Sequence, residues 1–290
     1  MAILAFDIGG TAVKHGIWLE DQLIQAADFA TPDSWQGMQE ALVKVLRTAA
    51  QQHEITGVAI SAPGAVDTEK GVIGGISAVP YIHQFPIAAA LQELFQLPVS
   101  IENDANCAAL AEVWQGAAQE VQNSLFFIIG SGIGGAVVLN RKLHKGPQLF
   151  GGEFGYMLMD QHQTLSELAS PVTTAQRFGQ SHLGNPELTG KELFELAEAG
   201  NGQAQEAVDR MYGALARGIV NLSVSFNPDK VLIGGGLSRR PDLVEVLTEK
   251  VQQLLKQVGA TDLVIPIEIC QFNNQANLVG AVVHFDQTIK

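Results

Sequence analysis

Two stretches hold the residues best placed to do chemistry. "FDIGGTAVKHGIWLEDQL", Phe6 to Leu23, reads as a strand, a glycine turn, a second strand and a hairpin, and "FIIGSGIGGAVVLNRKL", Phe127 to Leu143, reads the same way. A shift of 120 positions superposes Gly10 on Gly130, Leu19 on Leu139 and Leu23 on Leu143. Each corner, Gly10-Thr11 and Gly130-Ser131, can offer backbone N–H groups to a polyphosphate, because glycine lets the backbone approach closely. A single Gly pair is commonly an ordinary β-turn, but two matched corners weigh against that reading. The spacing predicts two similar half-folds, each bringing one hairpin to a shared cleft.

Other phosphate-binding patterns fit less well. No G-x-x-x-x-G-K-[ST] occurs, which excludes a P-loop. Gly130-Ser131-Gly132-Ile133-Gly134-Gly135 matches G-x-G-x-x-G after a strand, and a dinucleotide site would then require a helix. The β-branched "AVVLNRKL" that follows predicts a strand instead.

The elements that position these corners are legible as periodic patterns. Ile3–Ile8 is an apolar strand broken only by Asp7, and Val13–Leu19 and Leu23–Phe29 continue as a meander turning at Glu20-Asp21. "TPDS" offers caps for a helix with Trp35, Met38, Leu42, Val45, Leu46 and Ala49 on one stripe. "ITGVAIS", a helix through Ile87, Leu91, Leu94 and Phe95, "VSIE" and a helix from Asn103 follow. Beyond the second hairpin and a loop-rich "GGEFGYMLMD", helices fit Lys191–Ala199 and Gln203–Phe226. Then come strand "KVLIGGG", a helix opened by Pro241, strand "VIPIEIC" and a final helix Ala276–Phe285.

Bulk properties narrow the partners. With 290 residues, 47% hydrophobic and 16% charged, the chain has room for one large or two medium domains. A net charge of −13 with no basic run argues against nucleic acid. No apolar run reaches the roughly 18 residues of a membrane span, and "MAILAFDIGG" has no signal-peptide features. Cys107 and Cys270 form no C-x-x-C, so neither disulfides nor a cysteine-rich zinc site is expected. The expected location is cytoplasmic, without a membrane partner.

Together, "DIGGTAVK", "ISAPGAVD", "ENDANCAALAE", "GSGIGG", "GGEFG" and "VLIGGG" resemble, in order and over nearly the whole chain, the ROK family of sugar kinases and repressors. "GGEFGYMLMD" and "NLVGAVVHF" are most similar to its zinc-less β-glucoside kinase branch. The resemblance implies an α/β chain with a duplicated actin/hexokinase-like (ribonuclease H-like) fold, two lobes enclosing a nucleotide and sugar cleft. Residues 1–105 with 276–290 would form the small lobe and 106–275 the large one. It further implies ATP with Mg²⁺, phosphoryl transfer to a sugar hydroxyl, and a homodimer.

In that framework Asp7 would orient Mg²⁺, directly or through water. Gly9, Gly10 and Thr11, with Lys14 nearby, and Gly130, Ser131, Gly132 and Gly134 from the other half, would hold phosphate oxygens. Gly234, Gly235 and Gly236 would form the adenosine-side turn. Asp104 would be the general base, although by sequence alone it reads as a helix cap. Asn103 and Glu153 would hydrogen-bond sugar hydroxyls, and Gly64 would admit a loop to the ring.

Two departures bear on specificity. Tyr156 stands where most family members place a histidine, and "MLMDQHQTLSELASP" lacks their cysteines, so no zinc is expected; His162 alone is too few ligands. Ser166 takes the place of a second sugar-contacting glutamate, with Glu167 one residue late, either substituting for it or serving a helix's first turn. The expected function is phosphorylation of a primary hydroxyl of a glucose-type sugar or β-glucoside. Fructose or N-acetylmannosamine are alternatives. A DNA-binding ROK regulator would carry a helix-turn-helix ahead of Asp7, where six residues leave no room for one. An actin-like ATPase would not need Asn103, Asp104 and Glu153 together, and a dehydrogenase would need a helix after Gly135.

Overall fold

A computed structural model describes residues 2–289. The chain divides into two compact units. One runs from the N-terminus to Gly116 and takes in Gly146–Phe150 and the segment from Asn274 onward; the other comprises Ala117–Lys145 and Gly151–Asn273.

The first unit begins β1 (Ala2–Ile8), β2 (Ala12–Leu19), β3 (Gln22–Ala30), α1 (Trp35–Ala50), β4 (Ile55–Ala62), a small hairpin of β5 (Ala65–Asp67) and β6 (Val72–Gly74), α2 (Ile87–Phe95), β7 (Val99–Asn103) and α3 (Asp104–Gln115). The second unit holds β8 (Ser124–Ile129), β9 (Ile133–Leu139), β10 (Lys142–Leu143), α4 (Leu165–Ala169), α5 (Pro171–Phe178), α6 (Gly190–Glu198), α7 (Gly202–Phe226), β11 (Lys230–Gly235), α8 (Leu243–Gln257) and β12 (Ile267–Ile269). The last helix, α9 (Ala276–Thr288), belongs to the first unit again.

The two main sheets have the same strand order, β3-β2-β1-β4-β7 and β10-β9-β8-β11-β12. In each, the first three strands are an antiparallel meander and the last two run parallel to the first strand of the unit. The repeat inferred from the glycine corners is therefore a repeat of topology. β9 follows the second corner directly, so the helix demanded by a dinucleotide site is absent.

Side-chain alternation sorts the first sheet into two unlike faces. Leu4, Phe6 and Ile8 of β1, Val58 and Ile60 of β4 and Val99 and Ile101 of β7 join Met38, Leu42, Ile87 and Leu91 of α1 and α2 in one core. The opposite face carries the intervening residues, Ala5, Asp7, Gly57, Ala59, Ser61, Ser100 and Glu102, which are small or polar. Their small size lets α9 lie close: a Cβ on Gly57 would sit 2.2 Å from the Phe285 ring. The second unit buries Leu125, Phe127, Ile129, Val231 and Ile233 against Met211, Leu215 and Ile219 of α7 and Leu243, Leu247 and Val251 of α8.

Three details differ from the sequence expectation. Pro241 lies two residues ahead of α8 rather than opening it; Asp242 takes the cap position. "VIPIEIC" yields only Ile267–Ile269 as strand, because Pro266 has no N–H to give a ladder and serves instead as acceptor for Val231 N. The hairpin β5–β6 and the short α4 and α5 are too brief to leave a periodic trace. No helix among the described residues is long and apolar enough to cross a membrane.

Candidate active site

The polar residues of the first unit gather at the carboxyl ends of its parallel strands. Register pairs Asp7 of β1 with Ser61 of β4, Ser61 with Glu102 of β7, and Ala62 with Asn103. Open α/β sheets bind ligands beyond this edge. Asp7 is 6% exposed. Its Oδ1 accepts from Ser61 Oγ at 2.9 Å and from Asn277 Nδ2 at 3.0 Å, while Lys14 Nζ lies 3.8 Å from Oδ2.

At the next junction Asn103, not Asp104, caps α3. Its backbone is extended (φ −64°, ψ 148°), and its Oδ1 accepts from Asn106 N. The Asn103 amide also donates to Gly64 O at 3.0 Å and to Asp104 Oδ1 at 2.9 Å, and Asp104 Oδ1 accepts from Ala105 N as well. Beneath this turn the buried Glu102 accepts from Asn103 N and Asn106 Nδ2. Gly64 has φ 99° and is packed against Gly74 O and the His83 ring. Asn103, Asp104 and Gly64 therefore form one hydrogen-bonded group.

The two glycine corners close differently, the first over three residues and the second over two, and the shift of 120 positions places Gly9 on Ile129 rather than on Gly130. Gly9 N donates to Ala12 O at 3.1 Å and Gly130 N to Gly132 O at 2.9 Å. A hydroxyl holds the first glycine's carbonyl in each: Thr31 Oγ1 donates to Gly9 O at 2.6 Å, and Ser170 Oγ to Gly130 O at 3.1 Å and Ser131 O at 2.9 Å. Ser166 Oγ accepts from Ile133 N, so the residue standing in the place of the family's glutamate braces the second corner. The bracing roles of Thr31, Ser166 and Ser170 leave no trace in the sequence, where a hydroxyl far from its partner carries no pattern.

Within the second unit a pocket of about 550 Å³ opens beside that corner. Gly130, Ser131 and Gly236 contribute backbone to it, Pro171, Val172, Phe194 and Leu237 give apolar walls, and Lys191, Glu195, Glu198 and Arg240 bring charge. A Cβ on Gly130 or Gly236 would meet nothing within 4 Å, so both border open space. Gly235 is different: φ is 81°, and a Cβ there would fall 2.3 Å from Ile129 O, so only glycine suits this crossing of β11 and β8. Gly234, facing Ile128 and Cys270, is a packing position, and Gly134 lies inside β9 opposite Ile128. The Arg240 guanidinium stacks 4.1 Å over the Phe194 ring. Bonds to Asp242 and Glu198 hold it there. Size and lining suit a planar heterocycle with a phosphate tail.

Glu153 precedes a helical turn at Phe154–Tyr156 and is half-buried; its carbonyl accepts from Tyr156 N, and its carboxylate has no hydrogen-bond or ion-pair partner among the described residues. Burial pushes its carboxyl above the ordinary range. The folded state then holds this proton more tightly than the unfolded one, so its effect is nil at acid pH and destabilising once pH rises through the raised value. Glu153→Gln should accordingly raise the melting temperature at pH 8 and leave it unchanged near pH 4, as a pair of calorimetric scans can check. Glu167 is the N3 residue of a capping box with Thr164, which holds its carboxyl below the usual range. Tyr156 is exposed. Among the described residues no three His, Cys, Asp or Glu side chains converge as a metal cage.

A ROK family match spans residues 3–288. The chain is 37% identical over 297 residues to a β-glucoside kinase of Klebsiella pneumoniae, covering 99% of this chain and 97% of that one. It is 35% identical over 299 residues to a β-glucoside kinase of Listeria monocytogenes, covering 99% and 98%. A ROK family protein of Streptococcus pneumoniae, solved in complex with sucrose, superposes with a TM-score of 0.90 at 36% identity, covering 99% of this chain and 98% of the other. The fold is the actin/hexokinase-like α/β fold of these neighbours. On the strength of a match along almost its entire length, the chain belongs to the ROK family.

Proposed function

We propose that the chain transfers the γ-phosphoryl group of ATP to a primary hydroxyl of a β-glucoside or glucose-type sugar. Its relatives make it a sugar kinase. The observation that carries the finer reading is the line of Asp7, Ser61 and the Asn103–Asp104 turn along one edge of a sheet.

In this reading the second unit grips the nucleotide. Its pocket beside Gly130–Gly132 has an apolar slot closed by the Arg240–Phe194 stack for the base, and the corner's N–H groups face the phosphates. Arg240→Ala should raise KM for ATP roughly tenfold, the loss expected of a partly desolvated cation–π wall, and leave KM for the sugar unchanged. Steady-state kinetics with each substrate varied in turn will check this.

The first unit supplies the acceptor chemistry. Asp104 accepts the proton of the attacking hydroxyl, and Asn103 fixes its orientation through the 2.9 Å bond. From the second unit Glu153, half-buried and with its carboxylate unpaired among the described residues, accepts from a sugar hydroxyl. Asp7 is a single carboxylate, which suits a Mg²⁺ ion held chiefly by phosphate oxygens and water. When bound, that ion neutralises phosphate charge. The donor set fits it.

The test is ADP release by the purified protein with Mg-ATP and a panel of glucose, β-linked glucose disaccharides, sucrose, fructose and N-acetylmannosamine. The β-linked glucosides should give the highest kcat/KM. No ADP above background with any sugar would overturn the reading.

A further inference from the structure

Two hydrogen bonds hold one oxygen of the Asp7 carboxylate, Oδ1, while the other, Oδ2, faces only the Lys14 ammonium at 3.8 Å. Ser61 on β4 and Asn277 on α9 both donate to Oδ1, at 2.9 and 3.0 Å, and neither touches Oδ2. Two donors arriving from different elements fix the rotation of a carboxyl group about its Cβ–Cγ bond, where one would leave it free to pivot.

Neither donor is on a loose segment. Ser61 is fully buried within β4 and pairs in register with Asp7. Asn277 sits in the first turn of α9, and that helix is pressed onto the sheet and α3: a Cβ on Gly280 would lie 1.7 Å from Cys107 O. A donor on a helix packed this tightly has a defined position relative to β1.

We infer that Ser61 and Asn277 are positioning residues that orient Asp7 so that Oδ2 is the oxygen presented to a divalent cation on the nucleotide. The inference rests on the reading of Asp7 as the cation-facing carboxylate. Ligand-orienting partners of this kind typically alter metal affinity by about 10- to 100-fold when removed.

Mn²⁺ serves as the probe, since its electron paramagnetic resonance signal reports binding without turnover. Asn277→Ala, Ser61→Ala and Asp7→Asn are titrated with Mn²⁺ in the presence of ADP, and the Mg²⁺ midpoint of kinase activity is measured beside it. Both alanine variants should weaken Mn²⁺ binding and shift the Mg²⁺ midpoint upward by about tenfold, with sugar KM and melting temperature close to wild type. If Asn277→Ala fails to fold, Ser61→Ala alone decides. Unchanged Mn²⁺ affinity in the alanine variants, with clear weakening in Asp7→Asn, overturns the positioning role and leaves the reading of Asp7 intact. Unchanged affinity in Asp7→Asn overturns both. A uniform loss of sugar affinity, cation affinity and melting temperature identifies a purely structural role and also overturns the inference.

Discussion

Asp104→Asn should fold like the wild type and lose 10²- to 10⁴-fold in sugar-dependent ADP formation, the usual contribution of a positioned acid–base group. That range corresponds to roughly 3–5.5 kcal/mol of transition-state stabilisation. Folding should be spared because the described bonds of Asp104 Oδ1, from Asn103 Nδ2 and Ala105 N, can be accepted equally by an amide oxygen. The cap of α3 is Asn103, so the substitution leaves it in place. What an amide cannot do is take a proton from an attacking hydroxyl. The decisive comparison is kcat against nucleotide affinity. The base assignment predicts a collapse of kcat with ADP binding unchanged, since Asp104 does not line the pocket proposed for the nucleotide base. A variant retaining more than a tenth of the wild-type kcat would refute it.

Gly280→Ala should be the most destabilising single methyl in the first unit. Its Cβ would lie 1.7 Å from Cys107 O, 2.3 Å from its carbonyl carbon and 2.7 Å from its Cα, all backbone atoms of α3. A flexible side chain could swing away; a helix backbone cannot, so α3 and α9 must separate. Overpacking of this kind costs about 3 kcal/mol, which for a unit of this size lowers the melting temperature by roughly 6–12 °C. Because α3 carries Asp104 in its first turn and α9 carries Asn277, the same displacement should depress kcat well below the wild type at temperatures where the variant is still folded. Differential scanning calorimetry and kinetics at 15 °C give both readouts. A melting temperature within 2 °C of the wild type would mean that the two helices can slide apart at little cost.

Much of the proposed site can be picked out in the sequence because its signals are local. A glycine corner between two apolar runs, a carboxylate ending a strand and an Asn-Asp pair opening a helix each occupy a few consecutive residues. Asp7, Gly10, Asn103, Asp104 and Gly130 could all be picked out that way. The residues that hold them could not. Thr31, Ser61, Ser170 and Asn277 are common polar residues in unremarkable surroundings, and their partners lie 22, 54, 40 and 270 positions away. Nothing in a local pattern distinguishes a hydroxyl bracing a distant carbonyl from one facing water. The capping of α3 shows the same limit on a smaller scale. "END" offers two capping residues in succession, and only the extended backbone at Asn103 decides that it caps and Asp104 does not.

By itself the sequence determined the strands of the two main sheets, the long helices, the internal repeat and the identity of the groups able to do chemistry, because period, branching and glycine placement act over a single element. The tertiary structure alone decided which of those groups share an edge of a sheet, which way a carboxylate turns, and why Gly235 and Gly280 admit no side chain. Those properties depend on contacts between elements far apart in the chain, and close packing, not local preference, sets where the elements meet.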